Sequence, residues 1–406
     1  MGVARKLAVT KQHLSGKLMH VGSANDLTPL VRDLGYIQWD PVSVVAPSHL
    51  ISFWSRVENF RQPMLEDVLW KEKSVFEHWN PIATLGLTED YPIYYSLMMD
   101  YPESLSGSWG NYMKSAREEI RSNAKLLQRI QDELKAGPKA ISEFPKHRKT
   151  GRSGNGWSAE SKVSRMIYHL HMSGKVMVVG HRGNQNVWGL SEHFLPDWAN
   201  RAVLPQEEVE RLTAIRALGA LGTATLAEIN FYFVRGRYRN LRKVISGMLS
   251  DGTARRVRID EIKVKEERYM LESDFETLDA VTDSFEPRLS LISPFDNVIS
   301  GRERTRRIFG FDYIHEQFLP KEKRTYGTYV IPILWGDSFA GRLDASLDRK
   351  NKLLKVNSVH SEGNAAEKLN IGNEIANELE RLAEFVGAEE VAYTGVVPGP
   401  WRNSLH

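Results

Sequence analysis

The alternation of apolar and polar residues predicts helices that are followed by β-hairpins. In the stretch 158–174, apolar residues recur on one face of a helix, and a hairpin with strands at 175–179 and 187–190 follows it. Helices followed by a hairpin are the plan of a winged helix. The same order returns farther along the chain, where the predicted elements are helices at 207–218, 225–233 and 241–250 and strands at 255–259 and 269–271.

The first hundred residues show a third, less regular version of this plan, with two helices and then a strand at 36–39. If that strand continues, Gln38 and Asp40 lie on one of its faces and Trp39 lies on the other. A strand end at which Asp40-Pro41 opens a turn is the simpler interpretation of the same residues. The spacing alone therefore leaves open whether the two polar side chains form a site.

Beyond residue 280 the pattern changes to strands. The acidic stretch 274–287 is predicted to be a loop at a domain boundary, and a turn at Gly336-Asp337 joins two strands. The elements predicted after this boundary are strands at 326–335, 339–346, 353–358 and 390–393 and a long helix at 364–386. We therefore predict an α+β chain with three tandem winged-helix domains at 1–106, 107–196 and 197–280 and a C-terminal β-rich domain at 281–406.

The composition of the chain excludes several kinds of site. The 406 residues include no cysteine, which excludes disulfides, thiolate catalysis and cysteine-bound metal centres. No apolar run approaches the roughly 18 residues that a membrane helix needs, and the start shows no secretory signal. We expect a cytoplasmic protein without a membrane partner. His169 and His171 fall on different faces of their predicted helix, so we expect neither a metal site nor a cofactor.

Positive charge is concentrated in the third predicted unit. The whole chain has a net charge of only +3, but residues 235–268 carry 11 Lys and Arg residues against five Asp and Glu residues. Such a local excess is typical of a surface that contacts phosphate, and a solvated basic helix face is the alternative. The residues predicted to contact DNA, here and in a second cluster after residue 300, are Arg235, Arg237, Arg239, Arg242, Lys243, Arg255, Arg256, Arg258, Arg302, Arg304, Arg306, Arg307, Lys323 and Arg324.

A series of short motifs resembles the AlkZ/YcaQ family of winged-helix DNA glycosylases. The motifs are IQWDPVSVVAPSH at 37–49, WSR at 54–56, FEHW at 76–79, SPFDN at 293–297, FGFDY at 309–313, KRTYG at 323–327, PILWGD at 332–337 and GRLD at 341–344. They follow one another in the family order. Together they are specific, because each is short and would be a weak signal alone.

The resemblance implies a concave DNA-binding surface and hydrolysis of N-glycosidic bonds at alkylated purines, including the unhooking of interstrand crosslinks. The family's catalytic motif is Gln-Φ-Gln or Gln-Φ-Asp, where Φ is apolar, and the second form falls on Gln38, Trp39 and Asp40. Trp39 and His49 are candidates for a supporting role, although Trp39 is large for Φ and His49 stands where many relatives have two histidines. The implied partner is double-stranded DNA with alkylated purines or crosslinks, and we expect a monomer.

The chemistry of this reaction suits the two polar side chains. A purine alkylated at N7 is cationic and already a good leaving group, so the enzyme must mainly stabilise the sugar cation and deliver a water. We expect Asp40 to activate that water and Gln38 to position it. No lysine stands in the motif, so we expect no Schiff-base intermediate. The alternatives are a non-catalytic winged-helix regulator or damage binder, and a metal-dependent nuclease.

Overall fold

The computed structural model describes residues 1–79, 82–103, 108–144, 159–183, 185–262 and 266–405. The chain has a mixed α+β architecture, which confirms the predicted class at that level. In these ranges the strands form one five-stranded sheet, two three-stranded sheets and one two-stranded sheet. The helices lie mainly in the first three hundred residues, and the largest sheet lies in the last third of the chain.

The N-terminal unit packs five helices around a small antiparallel sheet with the strand order β1-β3-β2. Its helices are α1 (Gly2–Lys11), α2 (Leu27–Leu34), α3 (Ser48–Trp54), α4 (Gln62–Glu66) and α5 (Tyr91–Met99), and its strands are β1 (Ile37–Gln38), β2 (Val75–Trp79) and β3 (Ala83–Leu87). The strand β3 was not predicted. It pairs with both β1 and β2, so it fixes the position of β1, which ends at Gln38.

The second unit contains the predicted hairpin and a short third strand, in the order β4-β6-β5. Its elements are α6 (Ser108–Ser122), α7 (Ala124–Lys135), β4 (Lys139–Ala140), α8 (Ala159–Met172), β5 (Val176–Arg182), β6 (Gln185–Leu190) and α9 (Ser191–Phe194). The apolar face of α8, with Met166 and Ile167, is buried against α7 and the hairpin. This packing is what the helical spacing of those residues predicts.

The third unit combines three helices, a hairpin and two short helices. Its elements are α10 (Gln206–Leu221), α11 (Leu226–Tyr232), α12 (Leu241–Ser250), β7 (Ala254–Val257), β8 (Arg268–Leu271), α13 (Glu272–Glu276) and α14 (Leu278–Asp283). A reciprocal capping box starts α11, because the Thr225 hydroxyl accepts from the Glu228 amide and the Glu228 carboxylate accepts from the Thr225 amide.

The C-terminal part is built on the five-stranded sheet, in the order β13-β12-β11-β10-β9. Its elements are β9 (Leu289–Leu291), α15 (Asn297–Ser300), α16 (Arg302–Phe309), β10 (Val330–Trp335), β11 (Ser338–Asp348), β12 (Leu353–Ser361), α17 (Ala365–Lys368), α18 (Gly372–Val386) and β13 (Glu390–Tyr393). The strands are antiparallel except for the parallel pair of β12 and β13. Gly387 ends α18 in the left-handed conformation, with φ of 72°.

The structure corrects two predicted elements. The acidic stretch 274–287 is not a continuous loop, because α13 and α14 occupy much of it and α14 packs against α1. The predicted helix at 364–386 is divided into α17 and α18, since the chain turns at Ile371 and buries that side chain in the core. Both differences depend on contacts with distant parts of the chain.

One hydrophobic core joins the two ends of the chain. It contains Leu30, Ile51 and Phe53 of the N-terminal unit together with Ile333 and Leu379 of the C-terminal part. Packing therefore crosses the predicted boundary near residue 281. The four predicted domain ranges remain a prediction, but the first and the last of them share a core.

Candidate active site and DNA-binding cleft

Gln38 ends a short strand and presents its side chain to a large cleft. β1 pairs with β3, with Gln38 opposite Thr84, and the Trp39 amide donates to the Ala83 carbonyl over 2.8 Å. The Gln38 side chain is half-buried, and within the described ranges its amide forms no hydrogen bond. Its donor and its acceptor are therefore both available to a water or a substrate.

The SPFDN motif at 293–297 holds the backbone that leads to Gln38. The Asn297 amide donates to the Leu34 carbonyl over 3.1 Å and to the Tyr36 carbonyl over 2.6 Å. Arg56 and Asp296, both fully buried, form two hydrogen bonds of 2.8 and 2.9 Å. Through these bonds the motif ties the C-terminal part firmly to β1 and α3. Removing one partner of the ion pair would leave an uncompensated buried charge.

Asp40 lies in a turn rather than on the strand. Its carboxylate accepts from the Val42 amide over 2.8 Å, and its carbonyl accepts from the Ser48 amide over 3.1 Å. The strand ends at Gln38, so the predicted alternation does not extend to Asp40, and the turn interpretation describes the local backbone. The side chain is half-buried, and this burial raises the pKa of the Asp40 carboxyl although the bond from Val42 lowers it.

The C-terminal sheet holds the loop after Asp40. The Leu347 amide donates to the Val44 carbonyl over 2.9 Å, and the Tyr329 hydroxyl donates to the Ala46 carbonyl over 3.2 Å. Arg349 donates to the Ser43 hydroxyl over 2.6 Å. These bonds fix the loop between Asp40 and α3 from one side.

Trp39 is stacked between two histidine rings. The ring of His49 lies 3.8 Å from it at 11°, and the ring of His181 lies 5.0 Å from it at 12°. Burial lowers the pKa of His49 to about 3, so this ring is neutral, and within the described ranges its buried Nδ1 has no hydrogen-bond partner. His181 stands at the end of β5, where its Nε2 lies 3.1 Å from the Oε2 of the buried Glu77. His181 falls between the two strands predicted for this hairpin, at 175–179 and 187–190, and no role is predicted for it from the sequence.

The cleft that Gln38 lines has a volume of about 1000 Å³. α11, the start of α12, β8, α15 and α16 form its walls, and Asp40 is not among its lining residues. Three of the lining arginines, Arg235, Arg242 and Arg302, have no carboxylate partner among the residues that the structure describes. The Arg235 guanidinium lies 4.6 Å over the Phe231 ring. The cleft therefore offers free positive charge beside Gln38.

Two of the predicted DNA contacts are poorly placed for phosphate. Arg304 is buried, and its guanidinium donates to the Leu221 and Thr223 carbonyls over 2.7 and 2.6 Å and to the Glu228 carboxylate over 3.1 Å. We therefore leave it out of the proposed DNA surface. The Arg237 guanidinium lies near Tyr101 and Tyr168, and burial lowers its pKa.

The other predicted contacts differ in how they are engaged. Lys323 is exposed and, among described residues, has no acidic partner, whereas Arg324 donates to the Leu319 carbonyl over 3.0 Å. The remaining cations form ion pairs, of which Arg255 with Glu272 and Arg307 with Glu266 are partly buried and the others are exposed. Phosphate can compete most easily for the exposed ones, because exposed ion pairs contribute little free energy. The ion pairs are Arg239 with Asp100, Lys243 with Glu207, Arg255 with Glu272, Arg256 with Glu267, Arg258 with Asp260, Arg306 with Asp312 and Arg307 with Glu266.

The described residues contain neither a metal-binding cluster nor a membrane-spanning helix. No group of three or more His, Asp or Glu side chains in these ranges could hold a metal ion. No helix there is long and apolar enough to cross a membrane.

Comparisons with known proteins agree with the motifs. The family model described as "DNA glycosylase AlkZ-like" matches residues 31–385. The structure is similar to that of the Streptomyces sahachiroi DNA glycosylase AlkZ, with a TM-score of 0.64 and 16% sequence identity over 97% of this chain and 98% of that one. An identity this low shows a shared fold only, but the family model covers most of the chain. The chain belongs to the AlkZ-like family of DNA glycosylases.

Proposed function

We propose that the chain is a monofunctional DNA glycosylase, acting as a cytoplasmic monomer on double-stranded DNA. It hydrolyses the N-glycosidic bond of N7-alkylated purines and unhooks interstrand crosslinks joined through such purines. The observation that carries this proposal is the free amide of Gln38 at a cleft that also contains Arg235, Arg242 and Arg302 without acidic partners among described residues. Membership of the AlkZ-like family supports it.

Asp40 and Gln38 divide the chemical work in this proposal. As the alkylated base leaves with its electron pair, positive charge develops on the sugar, and a carboxylate nearby stabilises it. Asp40 also accepts a proton from the attacking water. Gln38 orients that water through one donated and one accepted hydrogen bond, because its side-chain amide can do both and bonds to no residue that the structure describes. The product is a free base and an abasic sugar on an intact strand.

The neutral state of His49 is consistent with this chemistry. A cationic imidazolium beside Asp40 would oppose the developing charge on the sugar, since like charges repel strongly at short range. Burial keeps the His49 pKa at about 3, so the ring carries no charge at neutral pH. Trp39 and His49 therefore support the site by packing, with centroids 3.8 Å apart.

We also propose that the three helical units bind DNA as winged helices. Each unit combines helices with an antiparallel hairpin, formed by β2 and β3, by β5 and β6, and by β7 and β8. In winged helices, a helix and a hairpin together contact duplex DNA. The cleft beside Gln38 opens on the third unit, where Arg235 follows α11 and Arg242 lies at the start of α12.

The nature of the product tests the proposal. The full chain is incubated with a duplex that contains one 7-methylguanine, and free base and strand length are measured with and without EDTA. We expect release of 7-methylguanine in both conditions and strand cleavage only after alkali treatment. Tight binding without any base release would instead identify a damage-binding protein. EDTA-sensitive strand nicking without base release would identify a nuclease.

A further inference from the structure

A short segment beside the cleft presents an exposed aromatic side chain. In residues 314–323, which we call the aromatic turn, the Phe318 side chain is 72% exposed and Ile314 is 50% exposed. A single exposed apolar residue is ordinary on a protein surface. Three further features of this turn indicate that Phe318 belongs to a preorganised binding surface.

The first feature is rigidity. The buried Glu316 carboxylate accepts from the amides of Thr325, Tyr326 and Gly327 over 3.0, 2.8 and 3.0 Å. Arg324 donates to the Leu319 carbonyl over 3.0 Å. The turn is thus anchored on both sides of Phe318. Rigid support of an exposed ring is what a binding surface requires, because little entropy is then lost when a ligand is bound.

The second feature is continuity with the cleft of Gln38. The His315 ring stacks on Phe295, with centroids 4.5 Å apart at 16°. The Phe318 ring makes an edge-to-face contact with His315, with centroids 6.2 Å apart at 67°. Phe295 and His315 line the cleft together with Gln38. Burial and the nearby Arg302 lower the pKa of His315 to about 4, so its ring is neutral at pH 7. Its Nδ1 is buried and has no partner among described residues.

The third feature is charge. Lys321 and Lys323 follow Phe318, and both are exposed without an acidic partner among described residues, although the exposed Glu322 lies between them. Arg302 lies near His315 on the cleft side. Flat aromatic rings beside free cations are the combination that binds nucleobases and phosphates of opened strands.

We propose that the aromatic turn is a stacking site for a nucleobase of the bound DNA. Phe318 stacks on a base that has lost its neighbour at the lesion, and Lys321 and Lys323 contact the adjacent phosphates. Proteins that open a duplex often place an apolar side chain against such a base. The site holds the duplex open beside Gln38. This inference rests on the proposed function, because it assumes that the chain acts on DNA. The stacking contributes to DNA binding and not to the chemical step.

Fluorescence of 2-aminopurine tests this site separately from catalysis. The duplex carries 7-methylguanine with 2-aminopurine beside it, and the full chain carries Asp40→Asn so that the base stays attached. Phe318→Ala, Phe318→Trp and the control Trp198→Ala are compared in this background. Trp198 is an exposed aromatic side chain, 56% accessible, and it does not line the cleft of Gln38.

We expect binding to raise the 2-aminopurine emission, because its stacking within the duplex is disturbed. Phe318→Ala removes this rise and weakens binding about tenfold, whereas Phe318→Trp and Trp198→Ala retain both. Equal melting temperatures of the variants confirm that the exposed substitutions leave the fold intact. An unchanged emission rise and affinity in Phe318→Ala would overturn the inference, as would a parent chain that binds without any rise. Base release by the wild-type chain is measured separately, so failure of the proposed function would not be confused with either result.

Discussion

At the scale of single residues, Gln38 and Asp40 have different environments although one residue separates them. Gln38 faces the cleft, and its side-chain amide bonds to none of the described residues, whereas Asp40 lies in a turn and accepts a backbone bond. Burial raises the pKa of the Asp40 carboxyl. An amide that orients and a carboxylate that accepts a proton need these two environments, because a carboxylate of raised pKa is a stronger base.

The raised pKa of Asp40 predicts the acid limb of the pH profile. Only the carboxylate form activates water, so the rate falls as pH decreases through the pKa of Asp40 in the folded chain. Because that pKa is raised, the midpoint lies above the ordinary value of about 3.9. Single-turnover base release measured against pH checks this. Gln38→Ala should be slower with a similar midpoint, and a profile that stays flat to pH 4 would contradict the role of Asp40.

The sequence identified Gln38 and Asp40 only through the family resemblance. Local spacing favoured a strand end with an Asp-Pro turn, and the turn is what the backbone shows. The turn alone does not indicate a catalytic role, because the cleft beside Gln38 is made mostly by residues beyond position 220, which only folding brings near it. His181 escaped notice for the same reason, since its contact with Trp39 exists only after folding.

At the scale of elements, the hairpin of the second unit packs against the Gln38-Trp39-Asp40 motif. His181 at the end of β5 stacks on Trp39, and Glu77 of β2 holds the histidine over 3.1 Å. The three elements β1, β2 and β5 therefore meet at Trp39. A substitution that removes the contact of His181 with Trp39 should therefore displace the side chains of Gln38 and Asp40, which flank Trp39.

Replacing His181 should slow the reaction without weakening DNA binding. His181→Ala removes a stacking contact worth about 0.5 to 1.5 kcal/mol, so we expect the single-turnover rate to fall by up to about tenfold. His181→Phe keeps a flat ring and should restore most of the rate. His193→Ala, on an exposed side chain in the same unit, serves as the control. A loss of affinity equal to the loss of rate would show that His181 contacts DNA instead.

Elements with strong local signals were predicted well. The helix α12 and the strand β13 were predicted with the bounds that the structure shows, because their apolar spacing and end signals are local. The strand β3 was missed, since Gly86 and the short run around it give a weak strand pattern. The helices α13 and α14 were hidden by their acidic composition and are stabilised by distant contacts, including the ion pair of Lys11 with Asp274.

At the scale of the whole molecule, tertiary packing determines which basic residues have an acidic partner. The sequence shows only how many basic residues there are. Fourteen cations were predicted to contact DNA, and their ion pairs could not be deduced from their order along the chain. In the structure, Arg242 is free of acidic partners among described residues and lines the cleft, while the adjacent Lys243 pairs with Glu207 over 2.9 Å. Two neighbours of equal charge thus have different surroundings.

This difference predicts unequal effects on the salt dependence of DNA binding. Arg242→Ala should lower the slope of log affinity against log salt by about one, because one phosphate contact is lost. Lys243→Ala should lower the slope by less, because phosphate must first displace Glu207 from that side chain, and it is the matched comparison. Binding of one duplex at several salt concentrations measures both. Equal slopes for the two variants would place the DNA surface outside the cleft.

The central claim is that Gln38 and Asp40 carry out hydrolysis at the cleft, and single-turnover release of 7-methylguanine tests it most directly. The wild-type chain, Asp40→Asn and Gln38→Ala are compared under saturating enzyme, with DNA affinity measured in parallel. Asp33→Asn, an exposed carboxylate of α2, is the control. We predict that the Asp40 and Gln38 variants bind DNA normally but release base at least about 100-fold more slowly. Asp33→Asn should release base at the wild-type rate. Full-rate release by Asp40→Asn or Gln38→Ala would contradict the claim.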